Sequence, residues 1–124
     1  MGLKKILFGN TNEKPSKFNW KELETIEQLD TIEKESYSKP VLIFKHSTRC
    51  GISRSVLKAF EKQFKDLHAD FYYLDLLNHR DISNEIASRY NVVHQSPQLL
   101  ILKDGKVVKH DSHYNLLELK AAIE

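Results

Sequence analysis

The run Val41-Leu42-Ile43-Phe44 constrains the fold more than any other segment of this chain. It is continuously apolar and rich in β-branched and aromatic side chains, with none of the polar alternation of a half-exposed strand. It therefore reads as a strand buried on both faces of a parallel sheet. Beyond it, Ile52, Val56, Leu57, Phe60, Phe64 and Leu67 mark one face of a helix, with Arg54, Lys58, Glu61 and Lys65 largely on the other. Phe71-Tyr72-Tyr73-Leu74-Asp75-Leu76 then supplies a second inner strand.

The remaining elements are arranged around that unit. Residues 10–17 are polar and contain Pro15, so residues 1–17 read as an arm and loop preceding a single domain over 18–124. A chain of 124 residues with 40% hydrophobic composition suffices for one core and is too short for two ordinary domains. Phe18, Trp20 and Glu22 alternate with Asn19, Lys21 and Leu23 in a short strand. Thr25 and Gln28 resemble a capping box ahead of Ile26, Leu29 and Ile32, predicting a helix over about 26–36 that ends at Ser38-Lys39-Pro40. A further helix over about 80–90 turns Ile82, Ile86 and Tyr90 inward, with Asn91 as a left-handed cap. Pro97-Gln98-Leu99-Leu100-Ile101-Leu102 opens another strand, Asp104-Gly105 suits a type I′ hairpin turn, and Val107 and Val108 carry the return. Leu116, Leu119, Ala122 and Ile123 share one face of a C-terminal helix opened by Asn115. The order is β-α-β-α-β-α-β-β-α, an α/β fold with parallel units first and a hairpin last.

Nineteen basic against seventeen acidic side chains leave a formal charge of +2, which implies no broad attraction to nucleic acid or anionic lipid. No apolar run approaches the ~18 residues of a membrane span. The apolar part of residues 1–9 is too short for a signal peptide, and Ile6 stands where a myristoylation motif needs Ser or Thr. A single cysteine cannot form an internal disulfide, which favours a reducing, cytoplasmic setting.

That cysteine, Cys50, lies in Ser47-Thr48-Arg49-Cys50-Gly51-Ile52-Ser53, where the central strand gives way to a helix. A lone cysteine is often a small buried hydrophobe. At a helix N-terminus, however, the dipole and the unpaired N–H groups of Gly51 and Ile52 favour a thiolate over the thiol, whose ordinary pKa is ~8.5. Three residues on, where a dithiol protein would carry its resolving cysteine, the chain has Ser53, so the site is monothiol. The Ser53 hydroxyl can reach the sulfur or cap the first-turn N–H groups. His46 ends the strand. His68, His79, His94, His110 and His113 show no metal-ligand spacing with cysteine or carboxylates, and no metal is expected.

The element order, the cysteine after the first long strand and the Ser96-Pro97 step before the fourth strand resemble the thioredoxin-like fold. Within it, Ile43-Phe44-Lys45-His46-Ser47-Thr48-Arg49-Cys50-Gly51-Ile52-Ser53 resembles the monothiol bacilliredoxins, which work with the cytoplasmic thiol bacillithiol. The resemblance implies a cis Pro97 facing Cys50, with the Ser96 backbone offered to a bound thiol or peptide. It implies Arg49, and with less to favour them Lys45 and Arg54, as partners of the bacillithiol carboxylates, Arg49 also supporting the thiolate. The implied reaction is thiol–disulfide exchange that takes bacillithiol from client proteins. Bacillithiol is then a co-substrate, with no tightly bound cofactor and a monomeric reduced protein. The family often has Pro where this chain has Gly51, and Cys-Gly-Ile-Ser is similar to the Cys-Gly-Phe-Ser of monothiol glutaredoxins. An iron–sulfur carrier is thus one alternative, and a non-catalytic thioredoxin-like binding module another.

Overall fold

The computed structural model describes residues 18–123, and the expected arm and loop over 1–17 lie outside them. The elements are β1 (Trp20–Glu22), α1 (Gln28–Glu35), β2 (Val41–His46), α2 (Gly51–Phe64), β3 (Asp70–Asp75), α3 (Arg80–Tyr90), β4 (Gln98–Lys103), β5 (Lys106–Ser112) and a C-terminal 3₁₀ helix (His113–Ala122). The five strands form one sheet in the order β1-β3-β2-β4-β5. β1 and β2 run parallel to β3, whereas β4 runs antiparallel to both β2 and β5.

β2 is central, and all six of its residues are buried. Because successive strand side chains point to opposite faces, its residues divide between two cores. Val41 and Ile43 join Leu29, Ile32, Ile82 and Ile86 beneath α1 and α3. Leu42 and Phe44 join Val56, Phe60, Phe64 and Leu116 beneath α2 and the 3₁₀ helix. The second core is strongly aromatic. Phe60 stacks on Phe64 with ring centroids 4.0 Å apart and on Trp20 at 5.6 Å, and meets Phe44 at 5.1 Å. Trp20 Nε1 donates to Glu61 Oε2 at 2.6 Å, tying the edge strand β1 to α2.

Local signals are realised in detail. Gln28 N donates to Thr25 Oγ1 at 3.3 Å while Gln28 Oε1 accepts from Thr25 N at 2.8 Å, the reciprocal pair of a capping box. Asn91 closes α3 in the left-handed region at φ 55°. Asp104 (φ 53°) and Gly105 (φ 82°) make the hairpin turn. The C-terminal element departs from expectation, being 3₁₀ rather than α. Leu116, Leu119 and Ala122 recur at intervals of three, which suits three residues per turn, yet only Leu116 is buried and Ala122 is exposed. β5 is also longer than Val107 and Val108 alone, because pairing with β4 continues past an irregularity at Ile101/Leu102.

Phe60 joins α2 to Phe18, Trp20, Phe44 and Phe71, so Phe60→Ala should cost about 3–5 kcal/mol. Urea unfolding should show a lower midpoint with an unchanged slope.

Candidate active site

β2 leads directly into the site. Cys50 N donates to Ser47 O at 3.2 Å, so residues 47–50 form a tight turn off the strand end. Cys50 is then the N-cap of α2, extended at φ −107° and ψ 121°, and its carbonyl accepts the first intrahelical bond from Arg54 N at 3.1 Å. The thiol is half-buried and forms no disulfide. Among the described residues nothing accepts the N–H groups of Gly51 or Ile52, leaving the orphan donors of a helix N-terminus beside the sulfur. Arg54 Nη1 donates to Thr48 O at 3.0 Å and so braces the turn, while Arg49 next to the cysteine is exposed.

Ser53 does neither of the two things expected of it. It is wholly buried, its hydroxyl accepts Ser47 N–H at 3.1 Å, and it shares a 2.8 Å hydrogen bond with His46 Nδ1. No side-chain cap is made at Cys50. His46 therefore does more than end the strand. Its buried ring packs near Tyr73 at 5.7 Å and Phe44 at 6.5 Å, and it locks the start of α2 to β2 through Ser53.

β4 brings the second half of the site. Lys45 pairs with Gln98 across the β2–β4 ladder, so Ser96-Pro97 emerges at the same sheet end as the Cys50 turn. The Ser96-Pro97 bond is cis. Ser96 Oγ is buried without a hydrogen-bond partner among the described residues.

The expectation for Lys45 needs correction. The side chain is 0% exposed, so its ammonium does not stand on the surface where a carboxylate ligand could meet it. Strand alternation places it on the face of Val41 and Ile43, under α3. There Nζ donates to Ser83 O at 3.3 Å and lies 3.4 Å from His94 Nδ1. Burial pushes the Lys45 ammonium down to about 8. His94 is held below its ordinary range by its own burial, then by the positive charges of Lys45 and Arg80. The roles of Ser83, His94 and Gln98 were not visible in the sequence, although a lysine in phase with Val41 and Ile43 signalled an inward ammonium.

A single cysteine capping the helix that follows the central strand, beside an X-Pro peptide on the antiparallel neighbour, defines a thioredoxin-fold protein with a thiol redox role. Residues 21–120 match the family described as Monothiol bacilliredoxin BrxC. One solved structure, described as a candidate oxidoreductase with a thioredoxin fold, is similar at 32% identity and a TM-score of 0.74, covering 84% of this chain and 91% of that one. Schistosoma mansoni thioredoxin shares the fold at 21% identity and a TM-score of 0.68, over 85% of this chain and 93% of its own. Spinach chloroplast thioredoxin f does so at 21% identity and a TM-score of 0.68, over 85% and 84%. The chain belongs to the monothiol bacilliredoxin family. Among the described residues no helix is long and apolar enough to cross a membrane.

Two predictions follow from this geometry. Gly51 is the first helical residue, the preceding Cys50 already has the extended backbone that a proline demands, and a Cβ at Gly51 would come no nearer than 4.0 Å to Arg54 Nη2. Gly51→Pro should therefore raise stability by about 0.4–1 kcal/mol, read from thermal or urea unfolding. Lys45 is charged in the unfolded chain up to its ordinary 10.5 but loses its proton near 8 when folded, so its penalty is complete below 8 and fades between 8 and 10.5. Lys45→Met should thus be more stable than the parent at pH 7 by up to about 3 kcal/mol, and urea titrations should show the gap closing as pH rises towards 10.5.

Proposed function

We propose that this protein is a monothiol thiol–disulfide oxidoreductase that removes bacillithiol from protein mixed disulfides. The observation that carries the reading is the pairing of a half-buried Cys50 thiol at the α2 N-terminus with a buried Ser53 already committed to His46 and Ser47. The chemistry begins at the cysteine, and no side chain one turn later can complete an internal disulfide.

In the forward step the Cys50 thiolate attacks the bacillithiol sulfur of the mixed disulfide. A new Cys50–bacillithiol disulfide forms, the client's sulfur leaves as a thiolate, and it takes a proton from water. In the second step a bacillithiol thiolate attacks the bacillithiol sulfur of that adduct. Bacillithiol disulfide is released and the Cys50 thiolate is restored, so that over the two steps the client sulfur returns to a thiol while one free bacillithiol enters the disulfide in its place. Bacillithiol is therefore a co-substrate, and the setting is a reducing, cytoplasmic one. The unpaired N–H groups of Gly51 and Ile52 support the sulfur as it gains negative charge. The exposed Arg49 suits the bacillithiol carboxylates, since its planar fork matches their oxygens. The Ser96 backbone, at the same sheet end, suits an extended segment carrying the disulfide.

Intact-mass measurement after mixing reduced protein with bacillithiol disulfide, and then with a bacillithiolated client, tests the reading. One adduct on Cys50 and release of client thiol are expected, and Cys50→Ser should lose both. Ser53→Ala should keep transfer but lose about 1–3 kcal/mol of stability, because Ser47 N–H and His46 Nδ1 lose their shared partner. A parent protein that forms no adduct at neutral pH but turns brown and dimeric on anaerobic iron–sulfide reconstitution would point to a cluster carrier instead. Absence of both would point to a binding module.

A further inference from the structure

The connection from α3 to β4 ends at the Ser96-Pro97 peptide. Among the described residues, none of residues 93–96 makes a backbone–backbone hydrogen bond. Side chains must therefore fix this segment, and two from the end of the sheet do so. Lys45 and Gln98 are register partners on β2 and β4 and are 0% and 2% exposed. Gln98 Nε2 donates to Val93 O at 3.0 Å. Lys45 Nζ reaches His94 Nδ1 at 3.4 Å, with Ser83 O at 3.3 Å as its second acceptor.

The chemistry of the second tie is specific. An ammonium donates and cannot accept, so a hydrogen bond to His94 Nδ1 leaves the lone pair on that nitrogen and the ring proton on Nε2. Ser83 Oγ, 3.2 Å from the same nitrogen, competes for the same lone pair. No carboxylate lies within ion-pair distance of Lys45 among the described residues. A buried cation without a counter-charge weakens a fold, and an apolar side chain of the same length would fill the space. Its one distinctive product here is the hold on α3 and on the segment before Ser96-Pro97.

We propose that Lys45 is a positioning residue for exchange at Cys50: with His94 as its handle, its buried ammonium holds residues 93–96, and hence the Ser96-Pro97 peptide, in register with the Cys50 turn. The proposal rests on the exchange activity proposed above. It also gives Lys45 a different task from the carboxylate binding that the family resemblance suggested, one performed without touching the substrate.

The test compares the full chain with Lys45→Met, His94→Ala and His94→Asn. His94 is exposed, so its variants should fold as the parent does, and Asn places an oxygen acceptor where Nδ1 stood. Alkylation of Cys50 by iodoacetamide needs no supporting segment, whereas exchange with bacillithiol disulfide does. Lys45→Met and His94→Ala should slow the exchange by about tenfold or more while leaving alkylation within about twofold. The backbone 15N order parameters of 93–96 should fall below about 0.6 in those two variants, with those of Ile43 and Leu100 unchanged. His94→Asn should recover most of both effects. Unchanged order parameters at 93–96 in Lys45→Met and His94→Ala would overturn the hold itself. Equal slowing of alkylation and disulfide exchange would overturn the positioning role by placing the effect on the thiol. A parent that alkylates yet exchanges with no disulfide would overturn the reading of Cys50, and this proposal with it.

Discussion

The structure depends on the burial of β2 from both faces. Six consecutive residues are enclosed between α1 and α3 on one side and α2 on the other, and the last two of them, Lys45 and His46, are polar. A buried polar group must find a partner inside the protein or bear the cost of desolvation. Each of these side chains solves that problem by reaching towards the functional end of the sheet. His46 bonds Ser53 at the start of α2, and Lys45 bonds His94 and Ser83 on the opposite face. The strand at the centre of both cores thus also supplies the supports of the site.

The cysteine turn and the Ser96-Pro97 peptide belong to distant parts of the chain, yet pairing of Lys45 with Gln98 makes them neighbours at one sheet end. That register is fixed by burial, because a one-residue slip of β4 would exchange the residues presented to the two cores. Leu99 and Ile101 face the aromatic core, while Leu100 and Leu102 face the other. The position of the site is therefore a consequence of hydrophobic alternation several residues away from any reactive group.

Much of this was legible in the sequence, for reasons specific to each element. The α3 boundaries followed from Ile82, Ile86 and a left-handed Asn91, and the hairpin from Asp104-Gly105, because those signals act over a few residues and do not need the rest of the chain. Cys50 was legible because the apolar run and the helical face fix where strand becomes helix. The C-terminal helix was misread because a three-residue apolar spacing fits either helix type until packing against α2 and β5 selects one. The contacts of Ser53, Lys45 and His94 were hidden because each partner lies in a different element, and side-chain pairing across elements has no local signature. The expectation of bacillithiol rests on the family resemblance, since no residue pattern alone names a thiol.

The two ends of the sheet carry a consequence for how the protein meets others. An edge strand is a template for strand addition by another chain, and long, flat, apolar edges invite it. Here β1 offers only three residues. At the other end, β5 exposes Lys106, Lys109 and His110 and departs from regular pairing near Ile101/Leu102. Charge, brevity and irregularity make both edges poor partners for a foreign β-strand. Edges of this kind shield the sheet from being recruited into the aggregates of other chains.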